Sequence, residues 1–384
     1  MKTLYVPLGD VAKFINGKAF KPEEWEASGL PIIRIQNLTG SSNITNYYNG
    51  AFEPKYLVEN GDVLISWSAS LGVYIWNGGN AILNQHIFKA NLYKCVDKRY
   101  FYYAAIYILD EMKNKVHGST MQHITREPFE STMFPLPPLP EQQRIAAILQ
   151  KADRLRRLRR YVRQLSDGYL QSVFLEMFGD PATNPKGWDC GSIDDVVAFS
   201  QYGTSNKSNS EKRGYPILGM INITYEGRVE LDKLSCVELP FQEFKELRLE
   251  RGDIIFNRTN STELVGKTSY WNSDIDAVLA SYLVKLKLKN NVMPEFFIML
   301  LNSAYYKKLF QERCKKAVGQ SNISPTLLKE FPVVIPPLEL QSRLATAKTQ
   351  NDLLWIRQRE SERQAEHLFQ SLLQRAFGGE QRFL

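Results

Sequence analysis

Three segments of this chain occur twice, in the same order, and that duplication leaves few architectures open. Pro31-Ile32-Ile33-Arg34-Ile35-Gln36-Asn37-Leu38-Thr39 returns as Pro216-Ile217-Leu218-Gly219-Met220-Ile221-Asn222-Ile223-Thr224, an offset of 185. Glu59-Asn60-Gly61-Asp62-Val63-Leu64-Ile65-Ser66 returns as Glu250-Arg251-Gly252-Asp253-Ile254-Ile255-Phe256-Asn257 at 191, and Phe134-Pro135-Leu136-Pro137-Pro138-Leu139 as Val333-Val334-Ile335-Pro336-Pro337-Leu338 at 199. Because the offset only grows, the two copies share one order of elements and differ by small loop insertions. A period near 190 residues is too long for a solenoid repeat, so each copy is a whole domain with its connector. The 384 residues, 43% of them hydrophobic, suffice for two cores of ordinary size.

Within each copy the apolar runs are short and β-branched, as in Val63-Leu64-Ile65 and Val73-Tyr74-Ile75-Trp76, and are bounded by Gly, Asn and Ser; they read as strands. The denser runs 100–109 and 296–301 read as buried helices packed on those strands. The expected fold class is α+β, with a first domain over 1–138, a first long helix over 139–179, a second domain over 180–337, and a second long helix with a tail over 338–384.

The long helices are expected because 141–178 and 339–377 contain no Pro and almost no Gly. Ile145, Ile148, Ala152, Leu155, Arg159, Val162, Ser166, Tyr169 and Val173 recur at alternating spacings of three and four. The same register in the second stretch falls on Leu344, Ala347, Asn351, Leu354, Gln358, Ser361, Ala365, Leu368 and Leu372. This is a coiled-coil-like seam with polar residues at its middle to fix pairing register. At 1.5 Å per residue each helix spans about 55–60 Å, and antiparallel pairing would set the duplicated domains at opposite ends with pseudo-twofold symmetry. The residues Gly179 and Gly378 that follow are natural helix stops. The competing reading, core helices of a bundle, fits the first helix poorly: Arg144, Lys151, Arg154, Arg156, Arg157, Arg159, Arg160 and Arg163 face only Glu141 and Asp153 over 141–163. Such a stripe is a solvated face, or a face for phosphate or an acidic partner. The chain as a whole has 48 Lys and Arg against 41 Asp and Glu and a pI near 9.0, which favours a polyanionic partner.

Pro137-Pro138-Leu139-Pro140-Glu141-Gln142-Gln143-Arg144-Ile145 ahead of a long helix, preceded by the segment Gly118 to Ile124, resembles type I restriction-modification specificity subunits. The second copy agrees, through Gly319-Gln320-Ser321-Asn322-Ile323-Ser324, Pro336-Pro337-Leu338-Glu339-Leu340-Gln341, and the loop from Phe256-Asn257-Arg258 through Val265-Gly266-Lys267-Thr268. The likeness covers essentially the whole chain. It departs at Leu340, where the first copy has Glu141, and at Ser66-Trp67-Ser68-Ala69-Ser70, which lacks the arginine that Arg258 supplies. The resemblance implies two target-recognition domains on double-stranded DNA, each reading half of a bipartite target, with the helices setting the unread spacer. It implies a non-catalytic chain without a cofactor of its own. S-adenosylmethionine, ATP and Mg are expected on its partners, two modification (methyltransferase) subunits and the restriction (translocase and nuclease) subunits.

Base readout in the major groove needs forked donors and acceptors, Arg or Lys for guanine and Asn or Gln for adenine, with Ser and Thr adaptable. On that ground the candidate DNA-binding residues are Arg34, Gln36, Asn37, Ser66, Ser68, Ser70, Asn84, Gln85, His86, Ser119, Gln122 and His123 in the first domain. In the second they are Thr204, Asn206, Lys207, Asn222, Asn257, Arg258, Asn260, Ser261, Lys267, Tyr282, Gln320, Ser321 and Asn322. Asn37 and Asn222 are equivalent, so shared backbone architecture or phosphate binding explains them better than base reading. Base contacts belong where the copies disagree, as at Ser68 against Thr259 and Asn260.

Enzyme motifs fare worse. Gly266-Lys267-Thr268 resembles the end of a phosphate loop, but the glycine needed five positions earlier is Ser261. Asp232 with Glu243 and Lys245 loosely suggests a metal-dependent, stand-alone DNA-cleaving protein, yet the first copy has no matching set. A coiled-coil scaffold without DNA affinity is the other alternative. His86, His117, His123 and His367 have no metal-ligand spacing, and Cys95, Cys190, Cys236 and Cys314 match neither a disulfide framework nor a zinc pattern. No Asn-Pro-Pro-Tyr or Gly-x-Gly-x-x-Gly signature is present, so methylation chemistry is expected on another chain. No apolar leader opens the sequence and no stretch approaches the ~20 apolar residues of a membrane span, so a cytoplasmic protein with no membrane partner is expected.

Overall fold

A computed structural model of the chain describes residues 4–68, 70–115, 126–232, 234–317 and 320–378. Its contacts resolve into two compact units, one formed by Met1–Arg160 with Glu360–Leu384 and the other by Tyr161–Arg359. Each unit therefore combines one α+β domain with the adjoining stretches of both long helices, Leu139–Phe178 and Leu338–Phe377, 40 residues each.

In the first unit a four-stranded antiparallel sheet runs in the order Ala12–Asn16, Ile87–Leu92, Val63–Ser66, Gly72–Ile75. A second sheet has the order Asn46–Tyr48, Leu30–Ile33, Ala81–Leu83, Leu57–Val58, and its two central strands are parallel. The helix Lys98–Lys115 buries Tyr100, Phe101, Ala104 and Ala105 in a core with Phe14, Phe88, Phe129 and Phe134. Onto the same core pack Ile145, Leu149 and Ala152 of the first long helix and Phe369, Leu373 and Phe377 of the second. Each such fully buried large side chain contributes roughly 1.5–3 kcal/mol, so the helices are integral to the unit.

The second unit repeats this plan. Its four-stranded sheet runs Val197–Tyr202, Leu283–Leu288, Ile254–Asn257, Thr268–Tyr270, and its three-stranded sheet Ser235–Val237, Tyr215–Leu218, Val278–Leu279, again with a parallel pair. A further small sheet joins Thr259–Asn260, Gln320–Asn322 and Lys315–Ala317. Leu170, Phe174 and Phe178 of the first long helix and Leu344 of the second enter its core beside Phe296 and Phe297.

One device couples domain to helix in both units. The buried Gln142 amide accepts from Asp97 N at 2.8 Å and donates to Cys95 O at 3.0 Å and Pro137 O at 2.8 Å. Gln341 accepts from Met293 N at 2.8 Å and donates to Asn291 O at 3.2 Å and Pro336 O at 2.7 Å. Each buried amide satisfies three backbone groups where the Pro-Pro-Leu turn enters a long helix, which explains why a Gln follows that turn in both copies.

Within the first unit the helical stretches run antiparallel: Arg156 donates to Glu366 at 3.0 Å, and one turn on Arg160 faces Glu362 at 3.5 Å. Within the second, Ser166 donates to Gln358 at 2.9 Å and its carbonyl accepts from Asn351 at 3.3 Å. The expected seam needs correction in detail, because Leu155, Val162, Tyr169, Leu354 and Leu368 are exposed. The covered face falls instead on Ile145, Leu149, Ala152, Arg156, Arg163, Ser166, Leu170 and Phe174, and in the second helix on Leu344, Lys348, Asn351, Trp355, Gln358, Glu362, Ala365 and Phe369. That series advances by 3.6 residues. A straight helix drifts about 20° per heptad from a 3.5 repeat, enough to carry Leu155 and Tyr169 off the contact. The first helix stops at Gly179, whose φ is +80°. Much of its basic stripe is paired at home: Arg144 with Glu141, Arg156 and Arg157 with Asp153, Arg160 with Glu362. No described helix is long and apolar enough to cross a membrane.

Candidate nucleic-acid interface

The parallel strand pair in each domain brings two strand ends to one edge. Ile33 lies beside Leu83, and Asn84 N donates to Ile33 O at 3.3 Å; Leu218 lies beside Leu279, and Ala280 N donates to Leu218 O at 2.9 Å. The neighbouring sheet ends at the same place, since Ser66 pairs with Ile87 and Asn257 with Leu283. One residue further, Trp67 N reaches His86 O at 3.4 Å and Arg258 N reaches Tyr282 O at 3.1 Å. A glycine lets a third segment lie against this edge. A Cβ on Gly17 would sit 2.2 Å from Asn84 O and one on Gly203 2.1 Å from Leu279 O, so only glycine fits. The result is a rim built from Arg34–Asn37, Trp67, Ser68, Ser70 and Asn84–His86 in the first domain, and from Gly219–Asn222, Asn257–Ser261, Ala280–Tyr282 and Thr204–Lys207 in the second.

Equivalent asparagines tie the turn behind each parallel strand. Asn37 Oδ1 accepts from Arg34 N at 3.0 Å and its Nδ2 donates to Ile44 O at 3.0 Å. Asn222 Oδ1 accepts from Gly219 N at 2.9 Å and its Nδ2 donates to Glu230 O at 3.2 Å. Both amides are engaged with backbone, which makes them part of the shared frame.

Side chains at the rim differ between the domains. In the first, Arg34 lies 4.9 Å above the Trp25 ring, and Trp67 stacks on Phe88 at 5.6 Å with His86 at the same distance. Gln85 Nε2 and His86 Nε2 are 3.3 Å apart, and Asn84 Oδ1 accepts from His86 N at 3.3 Å. In the second, Arg258 lies 4.9 Å above the Tyr202 ring and donates to Ser281 O at 3.4 Å and to Asn322 Oδ1 at 3.2 Å. Asn322 in turn donates to Thr259 Oγ1 at 3.0 Å, so the small three-stranded sheet holds the guanidinium in place.

Several candidates turn inward and are corrected on that ground. Ser66 is fully buried and donates to Ser70 O at 2.5 Å; Ser68 is buried beside it. Thr204 is buried with its hydroxyl accepting from Asn206 N, and Ser321 is buried against the Thr262 hydroxyl. Lys267 is buried, with Nζ donating to Met220 O at 2.9 Å and Ile223 O at 2.5 Å; burial pushes its pKa down, opposed by Glu226. Its work is to brace the rim. Asn257 is fully buried, and neither atom of its amide has a hydrogen-bond partner among the described residues. These side chains are largely withdrawn from the surface in this conformation. Arg34, Gln36, Ser70, Asn84, Gln85 and His86 remain at the surface of the first rim, and Asn206, Lys207, Arg258, Asn260, Ser261, Tyr282, Gln320 and Asn322 at that of the second. Ser119, Gln122 and His123 lie outside the described residues.

Sequence reasoning overlooked Trp25 and Tyr202, the aromatic rings that seat Arg34 and Arg258, and Trp67, which packs on Phe88. The signal was available: Trp67 occupies the position of Arg258 once the copies are aligned. Asp232 accepts from Arg359 at 2.5 Å, and among the described residues no group of three His, Cys, Asp or Glu side chains is placed to hold a metal.

Comparison with known proteins adds an independent line. The family model for the type I restriction modification DNA specificity domain matches the chain twice, over residues 3–162 and 185–353. The EcoBI specificity subunit of Escherichia coli is 22% identical, over 98% of this chain and 86% of that one. The MjaVIII specificity subunit of Methanocaldococcus jannaschii is 25% identical, over 93% and 88%. The crystal structure of the type I S subunit from M. genitalium superposes with a TM-score of 0.54 at 17% identity, covering 97% of this chain and 95% of that one, a likeness of fold.

Proposed function

The chain belongs to the type I restriction-modification DNA specificity family, and from that premise we propose that its two rims read the two halves of one split DNA target. The observation that carries this reading is the pair of rims itself. One backbone frame occurs twice, with Gly17 and Gly203, Asn37 and Asn222 in equivalent structural places, and it presents different polar tips: Arg34 and Asn84–His86 in one domain, Arg258, Asn260 and Asn322 in the other. A frame held constant while its tips vary suits reading two sequences with one docking geometry.

On this reading the chain makes no covalent change in DNA. The long helices fix the number of unread base pairs between the half-sites and dock two modification subunits, which carry S-adenosylmethionine, while restriction subunits supply ATP- and Mg-dependent translocation and cleavage. The complex works in the cytoplasm.

Methylome sequencing of cells with the gene intact and deleted tests the proposal. One split adenine-methylation motif should disappear on deletion, and purified chain with modification subunits should bind that motif selectively. An unchanged methylome, or metal-dependent nicking by the isolated chain that is lost in Asp232→Ala, would overturn it.

A further inference from the structure

Ile221 is 80% exposed on the second rim. Exposure alone says little, since lone apolar side chains are common at protein surfaces; position decides. Ile221 sits in the turn Met220–Asn222, directly after the strand end at Leu218 that bonds Ala280. Its neighbours are pinned on both sides: Met220 O and Ile223 O accept from Lys267 Nζ, and the Asn222 amide ties Gly219 N to Glu230 O. The buried Lys267 thus holds rigid a turn whose tip is an isoleucine in water. In the first domain the Asn37 turn is built alike, and the residue one before the asparagine is Gln36. The frame is shared and the tip is not.

Those two tips match two features of the major-groove edge. Glutamine pairs with adenine N6 and N7, whereas the C5-methyl of thymine is the groove's apolar feature and is read by apolar contact. We propose that Ile221 is a specificity-determining residue that packs on a thymine methyl in the half-site read by the second domain. The pinned turn makes that contact selective, because little conformational freedom is lost when it forms. This inference rests on the reading of the rim as a DNA interface.

The test uses the complex with modification subunits and duplexes of the methylated motif in which each thymidine is replaced in turn by deoxyuridine, which lacks only the methyl. For the unaltered protein, one replacement in the second half-site should weaken binding about fourfold, the worth of one buried methyl group. Ile221→Ala should bind the thymidine duplex equally weakly and no longer distinguish it from the deoxyuridine one, while Gln36→Ala keeps that discrimination. A second half-site without an A·T pair, full discrimination retained by Ile221→Ala, or lost assembly with modification subunits at unchanged discrimination would each overturn the proposal. Absence of selective binding by the unaltered complex would instead sink the underlying reading of the rim.

Discussion

Trp67 and Arg258 occupy one place in two domains, and the contrast between them separates frame from chemistry. Each follows the end of a central strand, and each donates its backbone N–H to the residue that leads into the neighbouring strand, His86 O or Tyr282 O. There the likeness stops. Trp67 packs against Phe88 and belongs to its unit's core. Arg258 stays half-buried between the Tyr202 ring and Asn322, with donors left over for a ligand, as a five-donor fork allows. The first rim must therefore draw its polarity from Arg34 and Asn84–His86, and the second draws it from the strand end itself. Equal backbone positions need not carry equal roles, and the frame is what the two units have in common.

The strongest test of that common frame is removal of the buried glutamines. Gln142→Leu and Gln341→Leu each leave one N–H and two carbonyls without a partner, at a cost of about 3 kcal/mol, confined to the unit that holds the glutamine. Hydrogen exchange of the two units in the purified complex measures both losses. Similar losses sharpen the comparison; a much smaller one on either side would break it.

Next in size comes the chemistry at the strand end. Arg258→Ala should cost about 1–3 kcal/mol of discrimination at one base pair of the second half-site, read by competition binding with single-base variants. Trp67→Ala should instead lower the thermal stability of the first unit and leave the choice of bases in its half-site unchanged. If Trp67→Ala relaxes base choice in a stable protein, the division between a packing position and a reading position fails.

Much of this was legible before any coordinates. The growing offsets between repeats made two like domains necessary, and the run of residues without Pro after each Pro-Pro-Leu made the long helices necessary. Less accessible was which polar residues face outward. Ser66 and Asn257 follow β-branched or aromatic runs at strand ends, where composition suggests a loop, yet both are the last residues of fully buried strands. Lys267 reads as a DNA-binding residue because a lysine in a polar loop suits base readout; its ammonium is spent on two backbone carbonyls. The seam holds at Ile145, Ala152, Ser166, Leu344, Asn351 and Ala365 and shifts at other positions for a related reason. Heptad spacing marks a stripe, but over 40 residues the difference between 3.5 and 3.6 moves Leu155 and Tyr169 from contact to solvent, and only packing against each domain decides between the two periods. Nor could the rings of Trp25 and Tyr202 be assigned as supports for Arg34 and Arg258, because they come from segments 9 and 56 residues away in sequence.

The smallest effect bears on the equivalent asparagines, and it should not be equal. Asn222 is buried, and its two bonds to Gly219 N and Glu230 O are partly shielded from water, so Asn222→Ala leaves both groups poorly solvated and should cost about 1–2 kcal/mol. At Asn37 the bond to Ile44 O is exposed, water can replace the lost amide, and Asn37→Ala should cost about 0.5 kcal/mol. The same device thus holds the second turn more firmly than the first, which follows from Lys267 also bracing it. Urea titration of the two variants ranks them. Equal losses would mean that the turn is fixed by its backbone alone and that the asparagine is a passenger in both domains.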